Sequence, residues 1–243
     1  MKKRADLLLI EKKLVESRNK ANAMIMAGQV YINGIKVKKS GELFKTDSKI
    51  VCKDLHPQWV SRAALKLLHA IEYFKIDVKN FSCLDIGAST GGFTEVLLSK
   101  KVKKIFCVDV GKNQLHEKIK KSSKVVNLSK TNARYLNKEI ITDPIDIIVC
   151  DVSFISMKKV IEPCLKFLDN NGIIIALIKP QFESKKEEVK KGGIVKDIKV
   201  HKRICMEYHN WFTEYCKMQV LEIIPSPIRG SKGNFEFLIY VRM

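Results

Sequence analysis

The sequence has no C-x-x-C pair, no long apolar run and far less acid than base. Each shortage excludes something. Its seven cysteines, Cys52, Cys83, Cys107, Cys150, Cys164, Cys205 and Cys216, are scattered, and several fall inside apolar stretches. That spacing reads as reduced, buried thiols and excludes a zinc site. The longest uninterrupted apolar stretch, Ile173 to Ile178, is too short to span a bilayer. The basic N-terminus offers only Leu7 to Ile10 before charges return, which excludes a signal peptide. A soluble, cytoplasmic chain with no membrane partner and no metal is expected.

What is present is base and core. The 243 residues carry 45 Lys+Arg against 26 Asp+Glu, a net +19 that favours a polyanionic partner through phosphate contacts and counterion release. Hydrophobic residues make up 46% of the chain, enough for a real core in one large domain or a small one plus a medium one.

Two textures divide the chain, with a boundary expected near residue 54. In the first, Leu7, Leu8, Leu14 and Val15 suit a short helix, and Ser17 is placed to cap a second helix whose buried face holds Ala21, Met24 and Ile25. Gly28 stops it, and Val30 to Ile32 and Ile35 to Val37 flank Asn33-Gly34, the signature of a type I′ hairpin. His56-Pro57-Gln58-Trp59 reads as part of a linker over 55–60, since proline discourages regular structure before it.

From residue 61 onward, strand and helix patterns alternate. Strands are expected at Cys83 to Ile86, Lys104 to Val110, Lys124 to Leu128, Ile145 to Asp151, Gly172 to Lys179, Val220 to Ile224 and Phe235 to Val241. Helical crossovers between most of them indicate a doubly wound, Rossmann-like α/β sheet. No helix separates the last two, so an antiparallel hairpin should end the sheet. The run Ser184 to Gly193, SKKEEVKKGG, reads as a mobile loop.

Gly87, Ala88, Ser89, Gly91, Gly92 and Phe93 fall where the first strand turns into the first helix, the crevice at which such sheets bind nucleotides. Asp109 ends the second strand, placed to accept hydrogen bonds from both hydroxyls of an adenosine ribose. Asp85, two residues before the first glycine, would repel a pyrophosphate but help orient an ammonium. S-adenosylmethionine (SAM) has an amino-acid end and no phosphate, so these residues favour it over a dinucleotide. Asn132, after the third strand, is an expected neighbour of the adenine.

The methyl acceptor is read from four more residues. Asp151 and Lys179 end the fourth and fifth strands, beside the expected sulfonium; Lys66 lies in SRAALKL before the sheet, and Glu236 in GNFE at the last strand. A ribose hydroxyl must lose its proton as the methyl arrives. A lysine amine can take that proton where a second lysine and desolvation lower its pKa and carboxylates hold it in line. Other chemistries fit less well. Amine methylation of adenine commonly uses Asn/Asp-Pro-Pro-Tyr/Phe, and Asp151-Val152-Ser153-Phe154 lacks the prolines. Cytosine carbon methylation needs a nucleophilic cysteine, and Cys164 lies in a helical pattern with Val160, Ile161, Leu165 and Leu168, as a core residue would.

The pattern Arg4-x-Asp6, Leu14, Ser17-Arg18, Ala21, Ile25, Gly28, Val30, Asn33-Gly34 resembles the small RNA-binding fold first known from ribosomal protein S4. The resemblance implies that Arg4, Arg18 and Lys20 meet RNA. The set Lys66, Asp151, Lys179 and Glu236 resembles that of the FtsJ/RrmJ ribose 2′-O-methyltransferases. With GASTGGFTEVLL, VDVG, DVSFIS, LIKPQFE and SPIRGSKGNFEFL, essentially the whole chain is similar to the TlyA family, although that family's usual SRGG reads SRAA here. The resemblance implies SAM-dependent 2′-O-methylation of cytidine in ribosomal RNA, and it carries the label haemolysin.

Family members with additional terminal segments modify both ribosomal RNAs, and shorter ones the large-subunit RNA. Because the sequence ends at Met243, directly after the last strand, 23S is the expected substrate, with 16S weak or absent. A membrane-active cytolysin is the alternative, from the label alone; an RNA-binding assembly factor with an inactive methylase is disfavoured by the intact tetrad.

Overall fold

A computed structural model of the chain describes residues 2–15, 17–26, 28–52 and 59–243, in two compact units, Met1–Gln58 and Trp59–Met243. Residues 55–58 of the expected linker, with His56, Pro57 and Gln58, lie outside the described residues. Trp59 and Val60 pack against the core of the larger unit.

The small unit runs β1 (Lys2–Arg4), α1 (Ala5–Glu11), α2 (Arg18–Met26), β2 (Val30–Ile32), β3 (Ile35–Lys36), β4 (Leu43–Lys45) and β5 (Ile50–Cys52). Because α1 begins at Ala5, its inward face is Ala5, Leu8 and Leu9, one helical turn apart. Leu7 falls between those positions and is exposed; Leu14 and Val15 lie beyond the helix end at Glu11, outside the short helix expected to hold them. The Ser17 hydroxyl accepts the Lys20 backbone N–H at 3.2 Å, capping α2, and Gly28 follows it at φ 71°.

Asn33 and Gly34 have φ of 51° and 81°, the paired positive values of a type I′ turn, and Tyr31 pairs with Lys36 across it. β2 is central in an antiparallel sheet of order β3-β2-β5, and β1 pairs with β4. The core is Ala5, Leu9, Val15, Ala21, Ile25, Val30, Ile32 and Val37.

The large unit opens with α3 (Ala64–Tyr73) and continues β6 (Ser82–Ile86), α4 (Gly92–Ser99), β7 (Lys104–Asp109), α5 (Glu117–Lys120), β8 (Val125–Ser129), β9 (Ile145–Cys150) and α6 (Lys158–Ile161). It ends with β10 (Leu168–Ile178), α7 (Pro180–Glu183), α8 (Ile198–Asn210), β11 (Gln219–Pro225) and β12 (Phe237–Arg242). The seven strands lie in the order β11-β12-β10-β9-β6-β7-β8. Strands β8 to β10 in that order are parallel; β12 inserts antiparallel between β10 and β11, closing the sheet with the expected hairpin.

Both faces of the sheet are covered. Leu84, Ile86, Phe106 and Ile148 point into one core, and Cys83, Ile105, Ile147 and Ile175 into the other, so the central strands read as continuous apolar runs. Each such large side chain, fully buried, contributes about 1.5–3 kcal/mol. This rigid sheet sets the strand ends from which the site is built.

The run 184–193 is largely exposed but anchored at points. Glu188 takes both oxygens to Arg203 of α8 at 2.7 and 2.8 Å, and Lys190 bridges Ile194. Asn234, itself buried, donates to the Gly193 carbonyl and accepts the Val195 N–H, tying this run to the segment before β12. Its charged composition hid these anchors.

Candidate active site

The turn after β6 is bent by backbone that side chains disfavour. Gly87, Ser89 and Gly91 have φ of 82°, 46° and 96°. At Gly87 a Cβ would come within 3.2 Å of the Asp151 carbonyl, so its bareness lets the ends of β6 and β9 approach. At Gly92 it would press on Ser61 and the Ala64 backbone, so this glycine serves the packing of α3 on α4. The glycines therefore answer to protein neighbours as much as to a ligand.

Above the strand ends lies a cavity of about 500 Å³, walled by Gly87, Ser89, Asp109, Asn132 and Asp151 among others. A smaller one of about 190 Å³ shares Gly87, Ser89, Asp151 and Ser153 with it and reaches Gly92, Phe93 and Lys179. Asp109 accepts the Ser89 N–H on one oxygen (2.8 Å) and the Gly111 N–H on the other (2.7 Å). A carboxylate offers about four acceptor positions, so the two N–H groups orient it and leave acceptor capacity facing the cavity. Asn132 lines the same cavity, its Oδ1 accepting the Arg134 N–H at 3.1 Å. A nucleoside fits this donor and acceptor set and this volume.

Two expected contacts are placed elsewhere. Asp85 is wholly buried beneath the turn and lines neither cavity; the Thr94 hydroxyl donates to it at 2.6 Å, and its other oxygen has no partner among the described residues. Burial, only partly offset by that hydroxyl, pushes its carboxyl up to about 7. Gly91 also lines neither cavity, its open side being filled by Ile119 and Leu115.

The four residues proposed for chemistry meet. Lys66 Nζ reaches Glu236 at 2.7 Å and Asp151 at 3.3 Å, while Lys179 Nζ pairs with the other Asp151 oxygen at 2.5 Å. Lys66, Lys179 and Glu236 are each less than 8% exposed. Burial opposes the Lys66 charge, yet Asp151 and Glu236 together outweigh it and raise its pKa above the usual lysine value. Lys66 is therefore a held cation. Lys179 has one carboxylate, and it also donates to the Ser153 hydroxyl at 3.0 Å.

Ser153 and Gln181, which donates to Glu236 at 3.4 Å, were not singled out by sequence reasoning. Their only signal was nearness to Asp151 and Lys179. Gly230 leaves room for the set: a Cβ there would overlap the Glu236 carboxylate. Cys164 is fully buried, its thiol pushed up to about 12 by burial, which disqualifies it as a nucleophile.

Arg4, Arg18 and Lys20 belong to the small unit. Arg4 and Arg18 both bind Asp6, which is completely buried, while Lys20 is exposed on α2. The hydrogen bonds from Arg4, aided by Arg18, hold the Asp6 carboxyl at about 2, well below 3.8.

Comparison with known proteins agrees with this layout. The FtsJ-like methyltransferase family matches residues 59–243, and the S4 domain matches residues 3–50. The 16S/23S rRNA (cytidine-2′-O)-methyltransferase TlyA of Mycobacterium tuberculosis is 38% identical over 98% of this chain and 89% of its own. The 23S rRNA (cytidine-2′-O)-methyltransferase TlyA of Campylobacter jejuni is 34% identical over 95% of this chain and 96% of its own. A solved structure named as a hemolysin, from Streptococcus thermophilus, superimposes with a TM-score of 0.78 at 34% identity, covering 99% of this chain and 88% of that one.

Proposed function

The chain belongs to the FtsJ-like methyltransferase family, within the TlyA group that joins this fold to an S4 domain, and from that premise we propose that it methylates the 2′-hydroxyl of a cytidine in 23S ribosomal RNA. The observation that carries the ribose assignment is the buried Lys66–Asp151–Lys179–Glu236 cluster beside the nucleoside-sized cavity. The two named activities of the relatives have 23S in common, which supports that substrate; 16S is the one a test must exclude.

Asp109 would hold the ribose of SAM, Asn132 would lie by its adenine, and Gly87, Ser89 and Asp151 would border the remainder. Bound there, SAM supplies an electrophilic methyl group. The residues of the chain provide the rest. In its neutral amine form Lys179 takes the proton from the acceptor hydroxyl, becoming an ammonium beside Asp151 as the oxygen turns alkoxide-like. Asp151, paired with both lysines, fixes that amine at the end of β10. The fixed charge of Lys66 stabilises negative charge growing on the oxygen, and Glu236 keeps Lys66 in place. Among the described residues, no helix is long and apolar enough to cross a membrane.

The test is transfer of label from methyl-labelled SAM to large ribosomal subunits or free ribosomal RNA by the purified protein, followed by nuclease mapping. Label on a cytidine ribose is expected. Label on a base would reject the proposal.

A further inference from the structure

Asp6 is an expensive residue for so small a core. It is fully buried at the start of α1, and burying a carboxylate returns little net stability even when it is paired. Its four acceptor positions are filled by four N–H groups, two on each oxygen. Oδ1 takes Arg4 Nε and the Leu7 backbone, each at 3.0 Å; Oδ2 takes Arg4 Nη2 at 3.0 Å and Arg18 Nε at 2.9 Å.

Two guanidiniums from different elements, β1 and α2, therefore sit side by side on one oxygen. Their side chains remain 42% and 56% exposed. Unpaired arginines would lose rotamer freedom on meeting an anion, and these two have lost it already.

We infer that Asp6 is a positioning residue that presets Arg4 and Arg18 as a two-guanidinium clamp for the sugar–phosphate backbone of RNA. The inference rests on the proposed ribosomal RNA substrate, but it concerns binding and not methyl transfer. Guanidinium forks match phosphate oxygens bidentately, and a fixed pair specifies where the backbone runs, which scattered lysines do not.

Charge and position make opposite forecasts here. Asp6→Asn removes a negative charge and leaves both arginines, so attraction by charge alone would strengthen RNA binding. A preset clamp forecasts weaker binding, by about tenfold, the scale of one charge-assisted contact.

The experiment measures binding of the full chain to a 23S RNA transcript across a salt series for wild type, Asp6→Asn, Arg4→Lys/Arg18→Lys, and the triple variant. The clamp is supported if Asp6→Asn binds about tenfold more weakly, the charge-conserving lysine pair loses a similar factor, and Asp6→Asn adds nothing further in the lysine background. It is overturned if Asp6→Asn binds as well as or better than wild type, or if it weakens the lysine variant equally, since that loss would come from a damaged fold. If Asp6→Asn does not fold, wild-type affinity in the lysine pair overturns the clamp and a tenfold loss supports it. Failure of the wild type itself to bind the transcript with a steep salt dependence would reject the RNA substrate, a result distinct from failure of the clamp.

Discussion

Among the described residues each unit buries one aspartate completely, and the two are treated in opposite ways. In the small unit Asp6 is saturated by four N–H groups and its carboxyl is held at about 2. In the large unit Asp85 has one hydroxyl donor and an oxygen without a partner among the described residues, and its carboxyl is pushed up to about 7. Burial prevails at Asp85, whereas at Asp6 the hydrogen bonds from Arg4, with Arg18, outweigh it. The basic partners follow the same division. Arg4 and Arg18 extend from their acid toward solvent, whereas Lys66 and Lys179 are enclosed with theirs, where water screens the pairs less.

The largest expected effect falls on the enclosed lysines. Lys179→Ala should abolish methyl transfer while leaving SAM affinity within a few fold, because the amine is assigned to the acceptor hydroxyl and not to the cofactor. Single-turnover assays beside calorimetry separate the two, and substantial residual turnover at saturating substrate would remove Lys179 as the base. Truncation before Trp59 should do the reverse. The large unit has its own two-faced core, so it should fold and bind SAM, yet handle ribosomal RNA poorly. Arg18→Glu in the full chain should reproduce part of that loss, and full activity of the truncated form would erase the functional division between the units.

Asp109→Ala should weaken SAM binding roughly ten- to hundredfold, the cost of about 1.5–3 kcal/mol for a charge-assisted contact. Unchanged affinity in a folded variant would move the ribose elsewhere. The smallest effects concern pH and have opposite signs in the two units. The folded Asp6 carboxyl lies below 3.8, so its stabilisation is present above that value and is lost as pH falls through about 2. The folded Asp85 carboxyl lies above 3.8, so its contribution is present below that value and is lost as pH rises through about 7. Asp85→Asn should therefore raise the melting temperature of the SAM-free protein at pH 8 more than at pH 5, and Asp6→Asn should lower it at pH 8. Equal pH profiles would break the contrast.

How much of this was legible in the sequence follows from the range of the forces involved. The hairpin at Asn33-Gly34, the cap at Ser17 and the alternation of strands and helices are local or nearly so, and the residues spelled them out. The three-residue strands β1, β4 and β5 show no periodicity; Leu7 misled because a helix starting at Ala5 turns it outward, and Leu14 because the helix ends at Glu11. At the site, strand ends announced Asp109, Asp151 and Lys179. That Lys66 and Glu236, 170 residues apart, would meet at 2.7 Å was legible only through resemblance to a family. The partners of Asp85 and Asp6, on which their charge state depends, were not legible: they come from packing, and identical letters in the sequence led to different carboxyls.

The measurement that bears most directly on the central claim is mass spectrometry of 23S and 16S RNA from a host lacking the activity and expressing this protein. The account predicts a stoichiometric 2′-O-methylcytidine in 23S that disappears with Lys179→Ala. Methylation on a base, or a stoichiometric 2′-O-methylcytidine in 16S, would contradict it.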